Sequence, residues 1–125
     1  MKYFYIMLGG GLGSVFRYLL SIFIYNFSNK VFPLGTLIVN MLGCFVIGFL
    51  FSLFEKFTIS PNIRLFIFIG LLGGFTTFSS FGLETFNLIR QSELKYAGLN
   101  LLLSNFLGLF FVFLGYAVIK LLFKD

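Results

Sequence analysis

Four long apolar runs, almost empty of charge, constrain this chain more than any other feature. They fall at residues 3–24, 34–54, 63–89 and 95–122, and the second contains no charged residue at all. About 20 apolar residues suffice for a helix to cross the hydrocarbon core of a bilayer. Charged residues make up 10% of the chain, whereas a soluble domain carries about 25% to cover its water-facing surface. Lipid is therefore the expected solvent, and four transmembrane helices the expected fold.

The connections between the runs are short and polar. Asn26-Phe27-Ser28-Asn29-Lys30 ends the first run, and Pro33 marks the approach to the second. Glu55-Lys56 closes the second, and Ser60-Pro61-Asn62 reads as a turn into a helix start. The glycines and Arg17 of the first run fit a retained span better than a cleaved signal. A chain of 125 residues with four such spans leaves no room for a soluble domain. Four helices also make a thin bundle, too small to enclose a sealed aqueous path. Oligomerisation follows as an expectation.

Charge placement sets partners and orientation. The nine Lys and Arg against four Asp and Glu sit mainly at the ends of the runs. There they anchor to anionic headgroups, which makes the lipid bilayer a better partner than nucleic acid. An even number of spans puts both termini on one side with the 55–62 connection. That side holds Lys2, Lys56, Arg64, Lys120 and Lys124, against Lys30, Arg90 and Lys95 on the other. Such a weak bias is compatible with insertion both ways up, and equally with an ordinary topology of low bias.

Enzymatic chemistry lacks its parts. There is no histidine and a single cysteine, Cys44, which sits inside an apolar run. Ser–His and Cys–His pairs are absent, and so are the common transition-metal ligand sets. The cluster Gly9, Gly10, Gly11 and Gly13 has no Gly-Lys-Ser/Thr ending and is no phosphate loop. Together with Gly43, Gly48, Gly108 and Gly115 it reads as close helix packing in lipid.

Polar groups inside the spans carry the functional signal, because lipid offers them no partners. Asn40 lies mid-span, where its amide either bridges helices or meets an anion. The third run holds Gly73-Gly74-Phe75-Thr76-Thr77-Phe78-Ser79-Ser80-Phe81, which predicts a broken helix at membrane depth. Broken backbone is tolerated there only when buried in protein or lining a polar cavity. Freed carbonyls suit a hard cation such as sodium, and the hydroxyls are donors for an anion. Phe78 and Phe81 share a helix face. An aromatic edge carries partial positive charge, so such rings can face a dehydrated anion without trapping it.

These residues give the chain its resemblance to the Fluc (CrcB) family of bacterial fluoride channels. The matching elements are Gly9-Gly10-Gly11-Leu12-Gly13 with Arg17-Tyr18, Gly35-Thr36-Leu37 with Asn40 and Gly43, and the third-run motif followed by Glu84. The resemblance implies an all-α membrane protein in the bacterial inner membrane. It further implies an antiparallel, dual-topology homodimer with two fluoride pores and passive, voltage-driven export. By the same resemblance Asn40, Phe78 and Phe81 contact fluoride, and Thr77 and Ser80 contribute hydroxyls. The carbonyls of Gly73 and Thr76 hold a structural sodium ion at the dimer interface. Arg17 and Glu84 match polar residues near the pore vestibules. The fourth span departs from the family, which tends to place a tyrosine and hydroxyls there. Asn100, Ser104 and Asn105 occupy that region, and the four-residue spacing of Asn100 and Ser104 predicts a polar track.

Two other readings compete. A proton-coupled small multidrug transporter is also a four-span dimer, but it needs an embedded carboxylate, and the first span has none. A non-transporting membrane subunit explains the glycines but not the Thr-Thr-Phe-Ser-Ser-Phe stretch.

Overall fold

The computed structural model describes residues 1–28 and 31–124. Asn29, Lys30 and Asp125, which entered the turn and charge readings above, lie outside the described residues. Four helical stretches, Lys2–Phe27, Leu34–Lys56, Pro61–Arg90 and Leu94–Leu122, are long and apolar enough to cross a membrane. They extend a few residues beyond the apolar runs, because polar flanks such as Asn26 and Lys56 continue the helical winding.

The first two spans are single helices, α1 (Lys2–Phe27) and α2 (Leu34–Lys56). The third is composite. It opens as α3 (Pro61–Arg64), where Ser60 Oγ accepts from the Ile63 N–H and Pro61 occupies the first turn. Leu65–Leu72 is wound as a π-helix, and α4 (Gly73–Phe75) follows. At Thr76 (φ −80°, ψ 156°) and Thr77 (φ −147°, ψ 121°) the backbone is extended. Winding resumes in α5 (Phe78–Arg90), capped by Thr77 Oγ1, which accepts from the Ser80 N–H at 3.1 Å. The last span is α6 (Leu94–Leu122).

Close helix approach organises the bundle. The most extensive packing joins α2 to α6, and α1 lies mainly against the π-helical segment and α4. A Cβ at Gly48 would fall on the Val112 carbonyl oxygen, and one at Gly115 on that of Phe45. These two glycines let α2 and α6 touch backbone to backbone, the form of contact that drives association in lipid. Gly13 brings α1 onto the Leu71 carbonyl in the same way.

The buried apolar set is correspondingly small, comprising side chains such as Val39, Leu72, Leu88 and Ile119. Large apolar side chains cover the outside of α1 and α6, among them Phe16, Leu19, Phe106 and Phe113. Such an inverted distribution is what a bilayer, or another apolar surface, accommodates.

Candidate functional site

The extended pair Thr76-Thr77 positions the site. In an uninterrupted α-helix the Thr77 N–H would bond to the Gly73 carbonyl. Here it donates to Asn40 Oδ1 at 2.8 Å, and Asn40 Nδ2 donates back to the Thr77 carbonyl at 3.0 Å. The Asn40 amide thus supplies the acceptor that the opened turn takes from the Thr77 N–H. It also adds a donor at the Thr77 carbonyl, which as the N-cap of α5 accepts the first bond of that helix as well. Asn40 bridges two spans, and its second amide N–H remains beyond this pair.

Nearby hydroxyls are tied to the same region. Thr76 Oγ1 donates to the Leu72 carbonyl at 2.9 Å, and Thr77 Oγ1 lies 3.4 Å from Ser79 Oγ. On the first turn of α5 the Phe78 and Phe81 ring centroids are 5.5 Å apart and tilted by 46°. Phe81 is buried, whereas Phe78 is 82% exposed.

These groups converge on an open cavity of about 350 Å³. Asn40, Gly73, Thr76, Thr77, Phe78, Phe81, Ser104 and Asn105 line it, with Met41, Cys44 and Phe68 as apolar wall. Eight of the twelve residues marked out in the sequence therefore meet in one place. Ser80 stands beside the cavity, its N–H capping onto Thr77. Arg17 and Glu84 do not join it.

Glu84 lines a second crevice of about 440 Å³ with Thr36, Tyr18, Asn87 and Gln91. Thr36 Oγ1 donates to Glu84 Oε1 at 2.6 Å, while Oε2 is buried without a hydrogen-bond partner among the described residues. Arg17 is half-buried on α1, one residue before Tyr18, and does not line the crevice.

Sequence reasoning passed over Thr85. Its hydroxyl donates to the Phe81 carbonyl at 2.8 Å and accepts from Asn100 Nδ2 at 2.9 Å. Ser104 Oγ in turn donates to Asn100 Oδ1 at 3.2 Å. The expected Asn100–Ser104 track on α6 thus continues across to α5. A polar residue four positions after Phe81, facing a buried asparagine, was the available signal.

The family described as CrcB-like protein, Camphor Resistance (CrcB), matches residues 4–116. This chain belongs to the CrcB-like family. A fluoride-specific ion channel FluC of Desulforapulum autotrophicum is 48% identical over 108 residues, covering 86% of each chain. FluC of Parabacteroides distasonis is 49% identical over 115 residues, covering 92% of this chain and 90% of its own. FluC of Methylocella silvestris is 45% identical over 121 residues, covering 94% and 92%. CrcB-like membership thus extends over all four spans and includes every residue of the two cavities described above.

Proposed function

We propose that this CrcB-like chain is a fluoride-selective channel that lets cytoplasmic fluoride leave passively, driven by membrane voltage. The observation that carries the reading is the shared cavity of Asn40, Thr77, Phe78, Phe81 and Ser104 at the extended Thr76-Thr77 backbone. The FluC relatives, 45–49% identical, are named for the same ion.

The chemistry of the cavity fits a small, strongly hydrated anion. The second Asn40 N–H and the edges of Phe78 and Phe81 supply partial positive charge in place of lost water. None of these groups carries a full charge, so the ion is held weakly enough to move on. No protein nucleophile or base takes part, and the protein acts as a channel, not an enzyme.

A working pore needs a second copy of the chain. Phe78 lines the cavity and is 82% exposed in the single chain. An antiparallel homodimer in the bacterial inner membrane, inserted in both orientations, would close it. The carbonyls of Gly73 and Thr76 are candidates to hold a structural sodium ion at that interface. Their fit rests on the Thr77 N–H, which goes to Asn40 and leaves the Gly73 carbonyl without its helical donor. Carbonyl oxygens suit hard cations. A bound sodium ion would supply fixed positive charge joining the two broken spans, and these residues would supply its oxygens.

Purified protein in liposomes tests the function directly. Fluoride efflux under an imposed voltage should far exceed chloride efflux, and Phe78→Ile should abolish it. Equal fluoride and chloride rates in the unsubstituted protein would sink the reading. Replacing sodium by a large organic cation should weaken the dimer on native gels, and unchanged dimer stability would remove the sodium ion from the proposal.

A further inference from the structure

Hydrogen-bond direction along the α5–α6 link is determined by its last member. The Phe81 carbonyl can only accept, so the Thr85 hydroxyl donates to it at 2.8 Å. Thr85 has one proton, so toward Asn100 it can only accept, and the Asn100 NH₂ group must face it at 2.9 Å. That turns the Asn100 carbonyl oxygen toward Ser104, whose hydroxyl must therefore donate to it at 3.2 Å. Asn100 is 2% exposed and Thr85 6%, so water does not offer substitutes.

The consequence falls on the cavity. Ser104 lines it, but its only proton points away, to Asn100. At rest Ser104 therefore presents lone pairs to the cavity, the wrong polarity for an anion. To donate to an anion, its hydroxyl must rotate about Cβ–Oγ and leave Asn100 Oδ1 buried without a donor, which is costly.

We infer that Asn100, held in one amide orientation by Thr85 and the Phe81 carbonyl, is a positioning residue that withholds the Ser104 hydroxyl from the permeating anion. Ser104 becomes a fluoride donor only by breaking the Asn100 bond, and the cost of breaking it keeps that subsite weak. The inference rests on the fluoride reading above, which efflux from the unsubstituted protein tests separately.

A double-substitution cycle in liposomes distinguishes this role from a packing role. Ser104→Ala should raise the half-saturating fluoride concentration by a smaller factor in the unsubstituted background than after Asn100→Leu, because its hydroxyl is committed to Asn100. Asn100→Leu removes the acceptor and frees the hydroxyl. In that background the half-saturating fluoride concentration should fall by about three- to tenfold, the size of one neutral hydrogen bond. Ser104→Ala should then reverse the fall. Thr85→Val unlocks the amide orientation and should shift saturation in the same direction, whereas Thr85→Ser should match the unsubstituted channel. The same fold-effect of Ser104→Ala in every background would overturn the inference while leaving the channel reading intact. A readout without substitution guards against misfolded variants. The Asn100 side-chain amide resonances should shift as fluoride is titrated into the unsubstituted protein, in step with saturation of efflux. Resonances that stay fixed through saturation would also overturn the inference.

Discussion

Asn40 commits its carbonyl oxygen and one amide hydrogen to the backbone of Thr77. This reciprocal pairing makes Asn40 a bridge between two spans, and the residue also lines the cavity, with one amide N–H outside the pair. Asn40→Asp separates the two contributions. A carboxylate still accepts from the Thr77 N–H but cannot donate to the Thr77 carbonyl, and it adds negative charge to the cavity proposed as the anion path. Thermal stability in detergent should fall by about 0.5–1.5 kcal/mol, the loss of one of the two hydrogen bonds to the Thr77 carbonyl. Fluoride efflux should fall by more than tenfold, beyond what that stability loss explains. Unchanged efflux would separate Asn40 from the permeation path. The importance of Asn40 was legible from the sequence, because an amide at mid-span needs a partner. Its partner was not legible, because a residue 37 positions away is brought near only by packing of α2 on the third span. Thr85 was missed for the same reason, as its role exists only once Asn100 on another helix faces it.

The helix elements join through backbone contact at glycines, and Gly43 is where this packing meets the site. A Cβ added to Gly43 would collide with Cγ2 of Thr76, the first extended residue of the third span. Gly43→Ala should therefore push Thr76 outward and destabilise the protein by about 1–3 kcal/mol. Thr76→Ser removes the colliding methyl while keeping the hydroxyl bonded to the Leu72 carbonyl. The double variant should recover the loss and gain from the better helix propensity of alanine, about 1 kcal/mol. Unfolding midpoints in detergent check both, and a double variant no more stable than Gly43→Ala would refute the contact. At this scale the four spans were legible within a few residues, since length and charge dictate them in lipid. The π-helical winding of Leu65–Leu72 was not, because its apolar sequence has the same composition as an α-helical span. The Ser60-Pro61 start was readable because capping depends on local chemistry alone.

For the whole molecule, orientation in the membrane is the property that the other two scales do not determine. Among the described residues, the end carrying Lys2, Lys56, Arg64, Lys120 and Lys124 also carries Glu55, while the other end carries Arg90 and Lys95 with Glu93. Several of these cations lie over aromatic rings, Lys56 over Phe123 and Arg64 over Phe54, as snorkelling side chains do at an interface. Both ends are thus basic and aromatic, and neither is strongly marked for the cytoplasm. If the pore forms between oppositely inserted copies, this balance is a requirement of function. An added lysine in one connection then becomes an informative change. Thr58→Lys strengthens one end, and Leu94→Lys the other, both at exposed positions away from the two cavities. Each single variant should insert mostly one way up and lose fluoride resistance in cells that depend on this chain. Expressing the two variants together should restore resistance, because each supplies the orientation the other lacks. Full resistance from either variant alone, with one-sided insertion verified by impermeant thiol labelling, would exclude an antiparallel pore and require two parallel copies to close the cavity around Phe78.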